Sequence, residues 1–257
     1  MTKNFLGTPL IVSDHGAGLD ALTWYIHILM FVLFIGWAGY FLHALIKFRA
    51  SKSRKADHIG VQNHMSTYVE IGVAVVEAVL LIGFAVPLWA KSVEKFPAEK
   101  NSVVIRVTGK QFNWISRYPG KDGVFGKQDV KFVTGPNPLG IDADDPAGKD
   151  DVAIMAGSEV VVPVDTNVIV HISSMDVIHS FKVFPMRVNQ DAIPGMSIPI
   201  HFRPNKVGTY PINCAQLCGI GHYSMKGTLK VLPPAEYDAW MTNKMATATG
   251  GGKSEFE

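Results

Sequence analysis

The chain has 257 residues and nearly balanced charge, 24 Lys and Arg against 22 Asp and Glu, which leaves no basic excess for nucleic acid. Its two cysteines exclude a disulfide-rich scaffold. A mean hydropathy of +0.17 is high for a purely soluble protein, and the apolar residues are unevenly spread.

Residues 1–20 read as an outer N-terminal segment. Before residue 20 there is one lysine, Lys3, and no apolar stretch of leader type, so no secretory leader is expected. Residues 21–48, ALTWYIHILMFVLFIGWAGYFLHALIKF, hold no acidic or basic side chain before Lys47 except His27 and His43. As a helix this run is about 40 Å long and spans a bilayer. A second span is expected over 67–90, where the apolar run is interrupted by Glu70 and Glu77. The connector between them, 49–66, is flanked and filled by Lys47, Arg49, Lys52, Arg54 and Lys55 against Asp57. That excess places it in the cytoplasm and both termini on the outer side. Trp24, Tyr25 and Trp89 then fall at the outer aromatic belt.

Glu70 and Glu77 share a helix face, because seven residues return to within about 20° of the starting direction. A carboxylate at mid-membrane costs about 3 kcal/mol, so this face requires protein or water, which implies a larger membrane partner. Glu70 also suits an interfacial carboxylate near the cytoplasmic end; Glu77 lies deeper.

From residue 91 to 245 the pattern changes. Valine-rich runs at 102–109, 158–174, 179–185, 197–204, 208–214 and 225–232 alternate with Gly, Pro and Asn turns, which predicts an all-β sandwich or barrel. Residues 119–151 read as a polar insertion. Its Asp142, Asp144, Asp145, Asp150 and Asp151 lack EF-hand spacing, so a solvated loop is expected. Residues 234–245 predict a short helix, and 246–257 a flexible tail.

Both cysteines lie in NCAQLCGIGHYSM, residues 213–225. Taken alone, Cys214 and Cys218 on an oxidising face suit a small disulfide loop. Their neighbours point to a soft metal instead: His222 follows Cys218 by four residues and Met225 follows His222 by three, and Cys, His and Met are the donors of soft copper sites. A single blue-type copper has no use for the second thiolate, whereas two coppers bridged by two thiolates do. A second imidazole must come from elsewhere. His179 starts a β run; His171 and His201 are mid-strand competitors.

Three segments, SMDVIHSF (174–181), DAIPG (191–195) and CAQLCGIGHYSM (214–225), occur in that order behind two spans. In this the chain resembles subunit II of the haem–copper cytochrome c oxidases over nearly its whole length. The resemblance implies a two-helix transmembrane hairpin followed by an all-β, cupredoxin-like Greek-key sandwich with a binuclear copper centre, CuA. It assigns Cys214 and Cys218 as bridging thiolates and His179 and His222 as imidazole ligands. Met225 would be a weak ligand of one copper, and the Gln216 carbonyl of the other. It puts Glu70 near the mouth of a proton path into subunit I. It further implies electrons taken from a c-type cytochrome and passed to haem in subunit I, where O2 is reduced to water with proton pumping. The setting is a bacterial inner membrane, with other oxidase subunits as partners and the copper domain on the periplasmic side.

Four departures from the family pattern stand out. QFNW at 111–114 replaces Gln-Trp-x-Trp, so Phe112 stands where electrons enter in relatives, with Trp114 as the kept aromatic. Gln216 replaces the glutamate that serves an interface Mg2+, and a neutral amide is a poorer ligand for it. Met196 replaces an arginine after Pro-Gly, and Glu77 replaces a proline. Without a Cys-x-x-Cys-His motif the chain carries no covalent haem, so the donor is a separate haem protein. Asp176 matches an acidic position used in docking cytochrome c, and equally suits a turn cap. Two other readings are a copper-free quinol-oxidase-type subunit and a membrane-tethered copper or thiol assembly protein.

Overall fold

A computed structural model describes residues 7–49, 59–60 and 62–249. Most of the expected connector 49–66, the first six residues and the end of the expected tail lie outside the described residues. The chain divides into two units, one spanning Ala17–Glu94 and one comprising the segment up to Gly16 with the chain from Lys95 onward.

The first unit is helical. Helix α1 runs Gly16–Lys47, α2 runs Met65–Ala78, and α3 runs Val86–Val93. Between α2 and α3 the helix widens into a π turn, Val79–Ala85, in which the Val86 N–H bonds the Leu81 carbonyl five residues back. Pro87 supplies the cause: it has no N–H to donate, and its ring crowds the carbonyl four residues earlier, so the helix relieves the clash by widening. Gly16–Lys47 and the continuous stretch Met65–Val93 are each long and apolar enough to cross a membrane. Both glutamates of α2 are exposed along it.

The second unit is a sandwich of two five-stranded sheets. Its strands are β1 (Ser102–Lys110), β2 (Asn113–Tyr118), β3 (Val152–Ile154), β4 (Glu159–Pro163) and β5 (Asn167–Ser174), then β6 (His179–Val183), β7 (Val188–Ala192), β8 (Ile198–Phe202), β9 (Gly208–Cys214) and β10 (Lys226–Leu232). The orders are β3-β2-β1-β5-β8 and β4-β10-β9-β6-β7. Two pairs, β1 with β5 and β4 with β10, are parallel; the other ladders are antiparallel. The two-helix and cupredoxin-like sandwich architecture is therefore the one expected. Alternation in the valine-rich runs explains the layering: Ile105, Val107, Val168, Val170 and Ile172 point between the sheets with Phe181, Ile212 and Leu229.

Three strands, β2, β3 and β7, lie outside the valine-rich runs. Strand β2 carries buried Ser116 and Arg117, which break the apolar signal; β3 has three residues, and β7 reads Val-Asn-Gln-Asp-Ala. Residues ahead of α1 join the sandwich as well. Val12 donates to the Pro185 carbonyl at 3.0 Å and accepts from Asn205 N at 3.0 Å, while the Ser13 hydroxyl donates to the Met186 carbonyl at 2.7 Å. Helix α4, Pro234–Thr249, runs past the expected end at 245. Its Trp240 meets Tyr118 edge-on at 5.3 Å and Tyr237 at 5.8 Å.

The 119–151 insertion is not simply solvated. Asp151 is buried in an ion pair with the buried Arg117, and it accepts from Gly120 N at 3.2 Å and Gly126 N at 3.0 Å. Asp150 accepts from Lys121 N at 2.7 Å and Asp145 from Lys127 N at 2.7 Å. The aspartates thus satisfy the loop's own backbone donors. Glycine is required at 126 because a Cβ there would collide with the Gly148 backbone. Asp151→Ala should leave the Arg117 guanidinium buried without a counter-charge and cost about 3–5 kcal/mol, to be read as a lowered denaturation midpoint.

Candidate metal centre

The thiol loop starts where β9 ends, at Cys214, and stops where β10 begins. Cys214 N donates to the Met225 carbonyl at 3.1 Å and closes the loop at its base; Ala215 N donates to Ser180 of β6 at 3.0 Å. A 3-10 turn over His222–Ser224 ends the loop, held by His222 N to Gly219 O at 3.1 Å and Ser224 N to Gly221 O at 3.0 Å. Strand β6 pairs with β9 so that Phe181 faces Cys214. His179 lies two residues before Phe181 on the same face, and both are fully buried.

The donors converge. The two sulfurs are 3.7 Å apart and both cysteines are free and buried, far from the roughly 2.05 Å of a disulfide. His179 Nδ1 lies 4.0 Å from Cys214 Sγ, and His222 Nδ1 lies 3.6 Å from Cys218 Sγ. Met225 Sδ is 3.8 Å from Cys218 Sγ, and the Gln216 carbonyl oxygen is 3.1 Å from Cys214 Sγ. His179, Cys214 and Cys218 place one donor atom each within 4.8 Å of one another. Two thiols side by side, two imidazoles near them, a thioether and a carbonyl make a soft donor set of the kind that can hold copper. Burial, followed by the neighbouring Cys214 thiol, pushes the Cys218 thiol up to about 11. A metal ion that binds there displaces protons as it does so.

Around these donors lies a layer that motif reading missed. Asp176 Oδ1 sits 2.8 Å from His179 Nε2. The Nε2–H donates to the carboxylate, which turns the Nδ1 lone pair toward the sulfurs. Burial opposes ionisation of Asp176, but Gln111 N–H, the His179 ring and Val177 N–H outweigh it and hold the carboxyl below the usual carboxylate range. Gln111 ties both halves of the site: its backbone N–H donates to Asp176 Oδ2 at 2.8 Å, and its side-chain amide donates to the Cys218 carbonyl at 2.7 Å. The only hint of this in the sequence is the proximity of Asp176 to His179.

The other named residues fall elsewhere. His171 on β5 and His201 on β8 belong to the opposite sheet; His201 meets the Phe96 ring at 4.7 Å. Trp114 has 0 % of its surface exposed and packs edge-on against His179 at 6.0 Å and Phe181 at 5.4 Å. Trp114, the second candidate for electron entry, therefore lies in the core behind the His179 ring. Phe112 is half-buried under the loop, its ring where a Cβ on Gly221 would stand. The Gln216 side chain is exposed.

The family model for the periplasmic domain of cytochrome c oxidase subunit II matches residues 103–232. The chain is 33% identical over 213 residues to the alternative cytochrome c oxidase subunit 2 of Bradyrhizobium diazoefficiens, covering 82% of this chain and 75% of that protein. It is 31% identical over 183 residues to cytochrome c oxidase subunit 2 of Cereibacter sphaeroides, covering 67% of this chain and 59% of that one. Among solved structures, the periplasmic domain of subunit II (CoxB) of Bradyrhizobium japonicum aligns at 29% identity with a TM-score of 0.42, over 58% of this chain and 96% of that domain.

Asp176→Asn should lower metal affinity about 10–100-fold, as loss of a partner that orients a ligand does, with the melting temperature of the sandwich unchanged. Metal titration checks this; unaltered affinity would reduce Asp176 to a turn cap or a docking charge.

Proposed function

The chain belongs to the cytochrome c oxidase subunit II family, a part of haem–copper terminal oxidases, and from that premise we propose that it is the electron-accepting subunit of a respiratory oxidase. One observation carries the proposal: two unbonded thiols 3.7 Å apart, each with an imidazole nitrogen within 4.0 Å. In this reading Cys214 and Cys218 hold a binuclear copper centre as thiolates, His179 and His222 supply its imidazoles, and Met225 and the Gln216 carbonyl serve as weak ligands. Bound there, CuA supplies a one-electron site whose charge change is shared between two metals.

The chain's own residues do the rest. The His179 ring is held by Asp176, and the loop by Gln111 and Ser180, so the donors are fixed before and after electron transfer and little reorganisation is needed. Trp114, Phe181 and Met225 keep water from the inner side. Outside, Leu217 (76 % exposed), Tyr223 (80 %) and Ile220 (95 %) form an apolar rim on the thiol loop. A c-type cytochrome with an apolar haem edge fits such a rim, and Phe112 beneath it provides the nearest aromatic ring of the 111–114 segment. Electrons then pass to haem in subunit I, where O2 is reduced to water with proton pumping. In the membrane, α2 offers Glu70 to a proton path in that subunit, and the protein sits in a bacterial inner membrane with its sandwich in the periplasm. The neutral Gln216 side chain leaves an interface Mg2+ without its usual carboxylate. A full set of copper donors argues against a copper-free quinol-oxidase type.

Metal analysis and a visible–near-infrared spectrum of the purified protein test the centre. Two coppers per chain and a purple mixed-valence spectrum are expected, lost in both Cys214→Ser and Cys218→Ser. A single blue-type copper, or a Cys214–Cys218 disulfide in the working complex, would overturn it. Glu70→Ala should slow turnover of the assembled oxidase with copper content intact; equal turnover removes Glu70 from the proton path.

A further inference from the structure

Strands β1 and β5 carry a polar square on the face opposite the core. They run parallel, with Arg106 beside His171 and Thr108 beside Ser173. Alternate residues share a face, and the intervening Ile105, Val107, Val170 and Ile172 are buried between the sheets. On the other side of β1, Arg117 of β2 lies opposite Arg106. Three adjacent strands therefore line up Arg117, Arg106 and His171 in one transverse row.

Among the described residues, Arg117 alone of this row is ion-paired to a carboxylate, Asp151. Arg106 stacks over the Phe125 ring at 4.3 Å and donates to the neutral Gln128 side chain at 3.3 Å. Among the described residues no carboxylate lies within ion-pair distance of it. The His171 ring and the Thr108 and Ser173 hydroxyls make no side-chain hydrogen bond to the described residues. A half-buried guanidinium that has lost water and gained no counter-ion is a strong site for an oxyanion.

These four side chains floor a cleft of about 850 Å³ roofed by the 119–151 insertion. Lys127 adds a cation at its side, and Val133 and Leu139 add an apolar wall. Asp129 also faces the cleft but is bonded to Lys131 at 3.3 Å. The volume suits a small organic molecule rather than a bare ion.

We propose that this cleft binds an organic oxyanion. Its head, a carboxylate or a phosphate monoester, sits on Arg106, His171, Thr108 and Ser173, and its apolar body lies against Val133 and Leu139. The guanidinium fork takes two oxygens of either head, and the hydroxyls donate to the remaining lone pairs. The site lies on the sheet opposite the thiol loop and stands independently of the copper reading.

Calorimetric titration of the purified full-length chain in detergent, at constant ionic strength, tests the site. The probes are phenyl phosphate and benzoate, with inorganic phosphate and phenol as head and body alone. Saturable binding of one or both aromatic anions is expected, tighter than inorganic phosphate, with none for phenol; the tighter anion identifies the head. Arg106→Gln should weaken binding about tenfold or more. Ser173→Ala, which leaves the Phe125 stack alone, should weaken it about fivefold. Absence of saturable binding by both aromatic anions overturns the proposal. So does parental affinity in both variants at unchanged melting temperature, and Ser173→Ala decides alone if Arg106→Gln fails to fold. Equal affinity for inorganic phosphate and phenyl phosphate overturns the part given to the apolar wall.

Discussion

Two strands remote in sequence meet where Phe181 faces Cys214, and that pairing brings the imidazole of His179 to 4.0 Å from a thiol 35 residues away. The candidate centre follows from it. With β6 beside β9, the loop's Ala215 N–H finds the Ser180 carbonyl and the turn at 176 swings under the ring of His179. Backbone hydrogen bonds between neighbouring strands thus do what a single flexible loop cannot. They hold soft donors at separations a metal ion can bridge while excluding water that would otherwise solvate the thiols.

A polar scaffold reinforces this arrangement at places where an apolar core cannot. Gln111 bonds one loop through its backbone and another through its side chain, so the β1–β2 connection acts as a strap across the site. On the opposite sheet, Asp151 performs the same kind of service for the long insertion by pairing with Arg117 and capping Gly120 and Gly126. Each of these groups would be costly to bury alone; together they satisfy one another. The aspartates of 119–151 therefore shape the insertion by accepting from its backbone N–H groups.

The helical unit follows a different logic. Its apolar side chains are exposed along both long helices, which is stable in hydrocarbon because every interior backbone group is bonded within its helix. Pro87 interrupts that rule, and the π turn restores pairing through Val86 and Leu81. Glu70 and Glu77 stand on the N-terminal side of this turn as the carboxylates of α2, and lipid cannot satisfy them. Their presence matches a protein that works within a larger membrane complex.

Local pattern alone determined the two apolar spans, most of the strands and the grouping of Cys214, Cys218, His222 and Met225. Each of these depends on composition or spacing within a short window. A valine-rich run alternates the same way wherever its strand ends up, and four donors within one loop are close by covalent connection. Tertiary structure decided what depends on strand order. His179, His171 and His201 all occupy strands, and the pairing of β6 with β9 is what brings the first beside Cys214. Asp176 reads as a docking charge or a turn cap until His179 Nε2 is seen 2.8 Å away. Likewise, Arg106 and His171 are unrelated in sequence, and parallel pairing of β1 with β5 makes them neighbours. Which sheet a strand joins is set by long-range packing, and no short window of residues contains that information.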